Sequence, residues 1–173
     1  MKNDVRDRIK ALSKSAITFE DNWTWDVYLA VLDIIEANGW KDEGVVECLP
    51  PKIQTIYLLE ELKATINNDG FLSVFYNGAL SAIKRLRNAM RNAISVPGLQ
   101  NIGDLFDEAF QLVENKLKWP GEYVNLVSLM DGAQPYDFFG CEITDRIDEI
   151  EKLISAILFA DEFGKLMELY LKS

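Results

Sequence analysis

Asn67-Asn68-Asp69-Gly70-Phe71, followed closely by Phe75-Tyr76-Asn77, sets turn formers and aromatics between two strongly helical stretches. Upstream, Ile53, Ile56, Leu59, Leu62 and Ile66 recur three or four residues apart, which predicts a helix with one buried stripe. That helix closes at Asn68 or Gly70, where the chain must enter left-handed backbone space that glycine occupies without steric cost. Phe71 then turns back toward the core. Phe71, Val74, Phe75 and Ala79 keep helical spacing, with Asn77-Gly78 available as a second turn. Turns and aromatics together make a compact corner.

The same periodicity extends in both directions. Val5, Ile9, Leu12 and Ala16 share one face of a first helix, with Arg6, Arg8, Lys10 and Lys14 around the rest. Asn22 or Thr24 is placed to cap a second helix with Trp25, Tyr28, Leu29, Leu32 and Ile35 inward, Gly39 as its stop, and Trp23 and Trp40 packing at its ends. Pro50 and Pro51 break the chain before the motif helix, leaving residues 41 to 51 mostly as connection. Residues 79–93 read as helix, with Leu80, Ile83, Leu86 and Met90 inward and Lys84, Arg85, Arg87 and Arg91 on the polar side; Pro97-Gly98 marks its end.

A further helix begins near Asp104, with Leu105, Phe106, Ala109, Phe110 and Val113 on its apolar face. Pro120-Gly121 interrupts, a short apolar helix spans residues 123–130, and Asp131-Gly132 with Pro135 forms a loop. Thr144 is placed to cap a helix with Ile147, Ile150, Leu153, Ile154, Ile157 and Leu158 inward, and residues 161–172 continue in helical style. With no strand alternation, the expectation is one compact all-α domain, residues 1–173, of about seven or eight helices around a Leu/Ile/Phe core.

A 173-residue chain with 49% hydrophobic and 27% charged residues can bury a core without disulfides or metals. No apolar run approaches the roughly 18 residues that span a bilayer, and Met1-Lys2-Asn3-Asp4-Val5-Arg6 lacks the apolar segment of a signal peptide, so a cytoplasmic location is expected. Cys48 and Cys141 are far apart and the chain has no His, which argues against zinc or dithiol chemistry; neither metal nor cofactor is expected. Lack of His also removes the commonest general base, and no P-loop, dinucleotide turn or nucleophile elbow is present, so no enzyme is expected. Carboxylate pairs such as Asp104 and Glu108 are formally able to hold a divalent cation, but such helix-surface acids are ordinarily solvated.

Charge is distributed unevenly. Residues 1–100 hold 12 basic and 13 acidic side chains, whereas residues 101–173 hold 6 and 15, so nearly all of the net charge of −10 is C-terminal. A single-sign field repels nucleic acid and anionic membranes and raises encounter rates with a basic partner. The short basic run Lys84-Arg85-Leu86-Arg87 is expected to form internal salt bridges rather than to contact nucleic acid.

The corner at residues 67–77 resembles a bacterial domain family whose signature is an Asn-Gly-Gly-Phe-like turn after an amphipathic helix, then an aromatic pair and Asn. Asn68, Gly70, Phe71, Phe75, Tyr76 and Asn77 match it; Asp69 stands where the family usually has Gly, and Ser73 about where it often has Gln. The resemblance covers roughly residues 50 to 90 and, more loosely, Leu166-Met167-Glu168-Leu169-Tyr170-Leu171 as the closing helix. The family includes small acidic DNA-mimic proteins that keep helix-turn-helix transcription factors off their operators. The resemblance therefore implies a helical, homodimeric binding protein whose partner is a basic DNA-binding protein of that kind. Its two-fold axis would match a dimeric repressor and its paired half-sites. The turn itself would be scaffold.

On that resemblance the acidic surface would carry the mechanism; read from the residues alone, the same acids are solvated helix faces and favourable charges at helix N-termini. Carboxylates three or four residues apart on a helix lie about 5–6 Å apart at Cβ, broadly like successive phosphates on a DNA strand. Asp104, Asp107, Glu108 and Glu114 form one candidate row, and Glu142, Asp145, Asp148 and Glu149 another, with Asp137 and Glu151 nearby. Such rows compete for the Lys and Arg that hold DNA phosphates, with strong salt dependence. The alternative is a generic interaction or immunity-type module whose partner has no DNA-reading surface, bound through Trp and Tyr side chains that the core leaves exposed.

Overall fold

The helical periodicities close into α1 (Asn3–Lys14), α2 (Trp23–Ala37), α3 (Glu43–Val46), α4 (Pro51–Asp69), α5 (Leu72–Asn77), α6 (Leu80–Ala93), α7 (Gln100–Lys116), α8 (Pro135–Phe139), α9 (Cys141–Leu158) and α10 (Phe163–Lys172). The computed structural model describes residues 3–14, 17–40, 43–93, 96, 98–119 and 121–173. The fold is all-α: seven of its helices are long, three have four to six residues, and no strand occurs among the described residues.

The motif helix α4 is the central element, packed against α2, α5, α6, α9 and α10. Its anticipated stripe of Ile53, Ile56, Leu59, Leu62 and Ile66 is buried, as are Tyr57 and Leu58 on other faces. A helix surrounded by neighbours buries more than one stripe, so polar residues enter the interior with partners. Glu60 accepts hydrogen bonds from the Thr24 hydroxyl at 2.6 Å and from Lys63 at 2.9 Å. Tyr170 donates to Thr55 at 3.1 Å, and Thr55 donates to the Pro51 carbonyl.

Gly70 ends α4 at φ 77°, ψ 162°, a region closed to side-chain-bearing residues. Phe71 and Phe75 then plunge inward and meet Phe106 of α7, with ring centroids 5.3–5.7 Å apart. All three rings are fully buried. The corner thereby joins α4, α5 and α7 through one aromatic cluster, whose edge and tilted packing adds to simple burial.

Several local expectations are corrected by packing. On α2 the inward residues are Trp23, Thr24, Val27, Val31, Ile34 and Ile35, while Trp25 and Leu29 are exposed. The apolar residues outnumber those one face can bury, and contact with α4, α1 and α10 decides which turn in. Trp23 packs as expected, its indole donating to the Gly164 carbonyl at 3.3 Å, but Trp40 is 67% exposed. Leu153 is also exposed.

Asn22 precedes α2 at φ 65° without capping through its side chain, and Thr24 reaches Glu60 instead of capping. The stretch assigned to connection contains α3, which buries Val45 and Val46. The helix expected near Asp104 starts earlier, at Gln100, and the apolar helix of residues 123–130 is a 3-10 turn, Leu126–Leu129. Thr144 lies inside α9, bonded to the carbonyls of Gly140 and Cys141; Gly140, at φ 87°, begins that helix. Ala16 falls outside the described residues.

Candidate functional site

Both acidic rows are built on long amphipathic helices whose apolar faces fix which way the acids point. On α7, burial of Phe106, Ala109, Phe110 and Val113 turns Asp104, Gln111 and Glu114 to solvent. On α9, burial of Ile147, Ile150, Ile154 and Leu158 leaves Glu142, Asp145, Asp148 and Glu149 outside. The two helices pack against each other, and α8, carrying exposed Asp137, packs on α9. One side chain ties the rows together. Arg146 donates through Nε to Glu108 of α7 and through Nη1 to Glu149 of α9, each at 2.7 Å. Those bonds, to Glu108 first and then Glu149, raise the guanidinium's affinity for its proton.

The ten predicted acids therefore divide by environment. Asp104, Glu114, Asp137, Glu142, Asp145 and Asp148 are exposed. Glu108 and Glu149 share Arg146. Asp107 faces the other flank of α7, where Arg87 donates to it at 2.5 Å and Arg91 also pairs with it. Burial opposes ionisation of Asp107, but hydrogen bonds from Arg87 and Arg91, reinforced by their charges, outweigh it and hold the carboxyl below its usual range. Glu151 points inward and accepts the Phe71 backbone N–H at 2.7 Å. Asp107 and Glu151 thus hold the fold together rather than extend the outward-facing rows.

The basic run of α6 is engaged internally, as expected: Lys84 pairs with Glu122 at 3.0 Å and Arg87 with Asp107. Cys48 and Cys141 are separate exposed thiols. Among the described residues, no three acidic or thiol side chains converge to hold a metal ion, and no helix is long and apolar enough to cross a membrane. A cleft of about 270 Å³ opens beside the motif corner, floored by Leu62, Val74 and Ile83 and rimmed by Glu61, Asp69 and Arg85.

Sequence reasoning missed two features of this surface. Arg146 is the sole basic residue between Lys118 and Lys152, yet its spanning of two helices depends on how they pack. The second feature is the apolar segment before α8, where Tyr123, Val127 and Leu129 are exposed. Tyr136 of α8 is exposed as well; desolvation, and then interaction with Cys141 and Asp145, hold its phenol above the usual range.

An all-α protein presenting carboxylates from adjacent helices is the class that fold and surface define. The chain belongs to the DMP19-like protein family, whose model matches residues 47–173. The matched span runs from α4 through α10 and includes the corner, both acidic helices and the closing helix. No curated protein and no solved structure matches the chain.

Proposed function

We propose that the chain is a DNA mimic: a binding protein, not an enzyme, that occupies the DNA-reading surface of a helix-turn-helix transcription factor and blocks its operator. The observation that carries this reading is the side-by-side packing of α7 and α9, with Glu108 and Glu149 held by one arginine and Asp104, Glu142, Asp145 and Asp148 outward around them. Acids on neighbouring helices offer a basic surface an extended set of acceptors, and two such sets related by a dimer axis would suit a two-fold repressor. The proposal includes a homodimer working in the cytoplasm, without direct contact to nucleic acid or membrane.

The mechanism is competition. Lys and Arg that neutralise phosphates meet carboxylates instead, so both association rate and affinity fall steeply with salt. The test is affinity capture from a bacterial lysate with and without competing duplex DNA. Recovery of a helix-turn-helix regulator that DNA displaces, and that Asp145→Lys/Glu149→Lys fails to retain, supports the proposal. A retained partner that lacks a DNA-binding surface, or that DNA leaves bound, overturns it. The interaction-module reading then takes its place, favoured by the exposure of Trp25, Trp40 and Tyr123.

A further inference from the structure

Tyr123, Val124, Val127 and Leu129 are 71%, 40%, 43% and 46% exposed, although the backbone that carries them is firmly held. Leu126 and Met130 are buried, and the 3-10 turn packs on α5. Asn125 bridges to Ala79, the Ser81 N–H donates to the Glu122 carbonyl at 2.9 Å, and the Ser128 hydroxyl closes on the Asn125 carbonyl at 2.7 Å. The segment is tied on its inner side and turns its apolar side chains outward on a fixed frame. Such pre-organised apolar groups lose little conformational freedom on binding, and clustered exposed apolar side chains mark contact sites.

The surrounding charge selects the occupant. Residues 119–145 contain five acidic side chains and no Lys or Arg; Glu122 pairs with Lys84 of α6, and Asp131, Asp137, Glu142 and Asp145 remain exposed. A second copy of the same surface would bring like charges together, and a nucleic acid would be repelled. We propose that this segment is an apolar docking surface for a basic protein partner, whose Lys and Arg frame an apolar or aromatic side chain seated on Tyr123, Val127 and Leu129. The inference rests on the DNA-mimic reading and adds to it. Carboxylate contacts weaken with salt, whereas apolar burial does not depend on ion pairing, so the segment supplies the part of the affinity that survives high salt.

The probes are two short synthetic peptides of equal positive charge, one of Lys and Ser alone and one in which Trp and Leu replace some Ser, titrated against the full chain at low and high salt. The expected result is that the apolar-bearing peptide binds about tenfold or more tightly at high salt and that Tyr123→Ser/Val127→Ser/Leu129→Ser abolishes this advantage. Tyr123→Ser alone, at the most exposed of these positions, should reduce it without shifting the melting temperature. Equal binding of the two peptides, or an advantage that survives both variants, overturns the inference. Asp145→Lys/Glu149→Lys should weaken both peptides at low salt; if it weakens neither, the acidic-face reading fails, and that outcome is distinct from failure of the apolar surface.

Discussion

Glu151 of α9 accepts the backbone N–H of Phe71 through Oε2 at 2.7 Å, joining residues 80 positions apart in the chain. The carboxylate satisfies an amide at the start of α5 that no helical carbonyl reaches, and it pins the aromatic corner to α9. Glu151→Ala orphans that amide and is expected to destabilise by about 1–3 kcal/mol, with a smaller loss for Glu151→Gln, which keeps an acceptor. Urea unfolding midpoints of the two variants check this; equal stability of Glu151→Ala and wild type would contradict it.

Gly70, beside this bond, has a backbone conformation that side-chain-bearing residues avoid. A Cβ there would lie 3.5 Å from Glu151 Oε2, an ordinary contact, so the cost of Gly70→Ala comes from the backbone and is expected at about 1–3 kcal/mol. Thermal unfolding of Gly70→Ala in wild-type and Glu151→Ala backgrounds should show the loss in both. If it disappears without Glu151, crowding rather than φ is the cause.

Asp107 makes stability depend on acidity. Its folded-state pKa lies below the ordinary 3.8, so its pairing with Arg87 and Arg91 stabilises fully above that value and is lost as pH falls through the depressed one. Wild type should exceed Asp107→Asn in denaturant resistance near neutrality, with the gap closing at pH below the ordinary carboxylate range. A gap that persists unchanged into strong acid would count against the linkage.

Binding should separate from this structural role. Asp145→Lys/Asp148→Lys is expected to abolish capture of a basic partner and flatten its salt dependence, because both carboxylates point outward. Asp107→Asn should leave capture largely intact, since that carboxylate is already spent on two arginines. Binding measured across a salt series decides between them; a larger loss from Asp107→Asn would misplace the surface.

Much of the fold was legible because helical spacing is local. Ile53 to Ile66 repeat with the helix, Pro51 sits in the first turn of α4, and Gly70 ends it. Where the reading failed, the residues were locally ambiguous. Trp23 and Trp25 both suit a helix, but α10 offers Trp23 the Gly164 carbonyl and leaves Trp25 outside. Leu153 fits the apolar side of α9 by spacing, yet packing among the described residues leaves it about half exposed, at 51%. Thr144 has the chemistry of a cap, but Gly140 allows α9 to start a turn earlier.

The acidic face shows the same division. By itself the amino-acid sequence determined that the chain is helical, where its long helices run, and that negative charge concentrates after residue 100, because spacing, turn residues and composition act over a few positions. Tertiary structure alone decided that α7 and α9 lie together, that Arg146 joins their acids, and that Asp107 and Glu151 serve the fold. Carboxylates look alike along a chain; their roles are set by which cation, amide or solvent the packed helices bring within hydrogen-bonding reach.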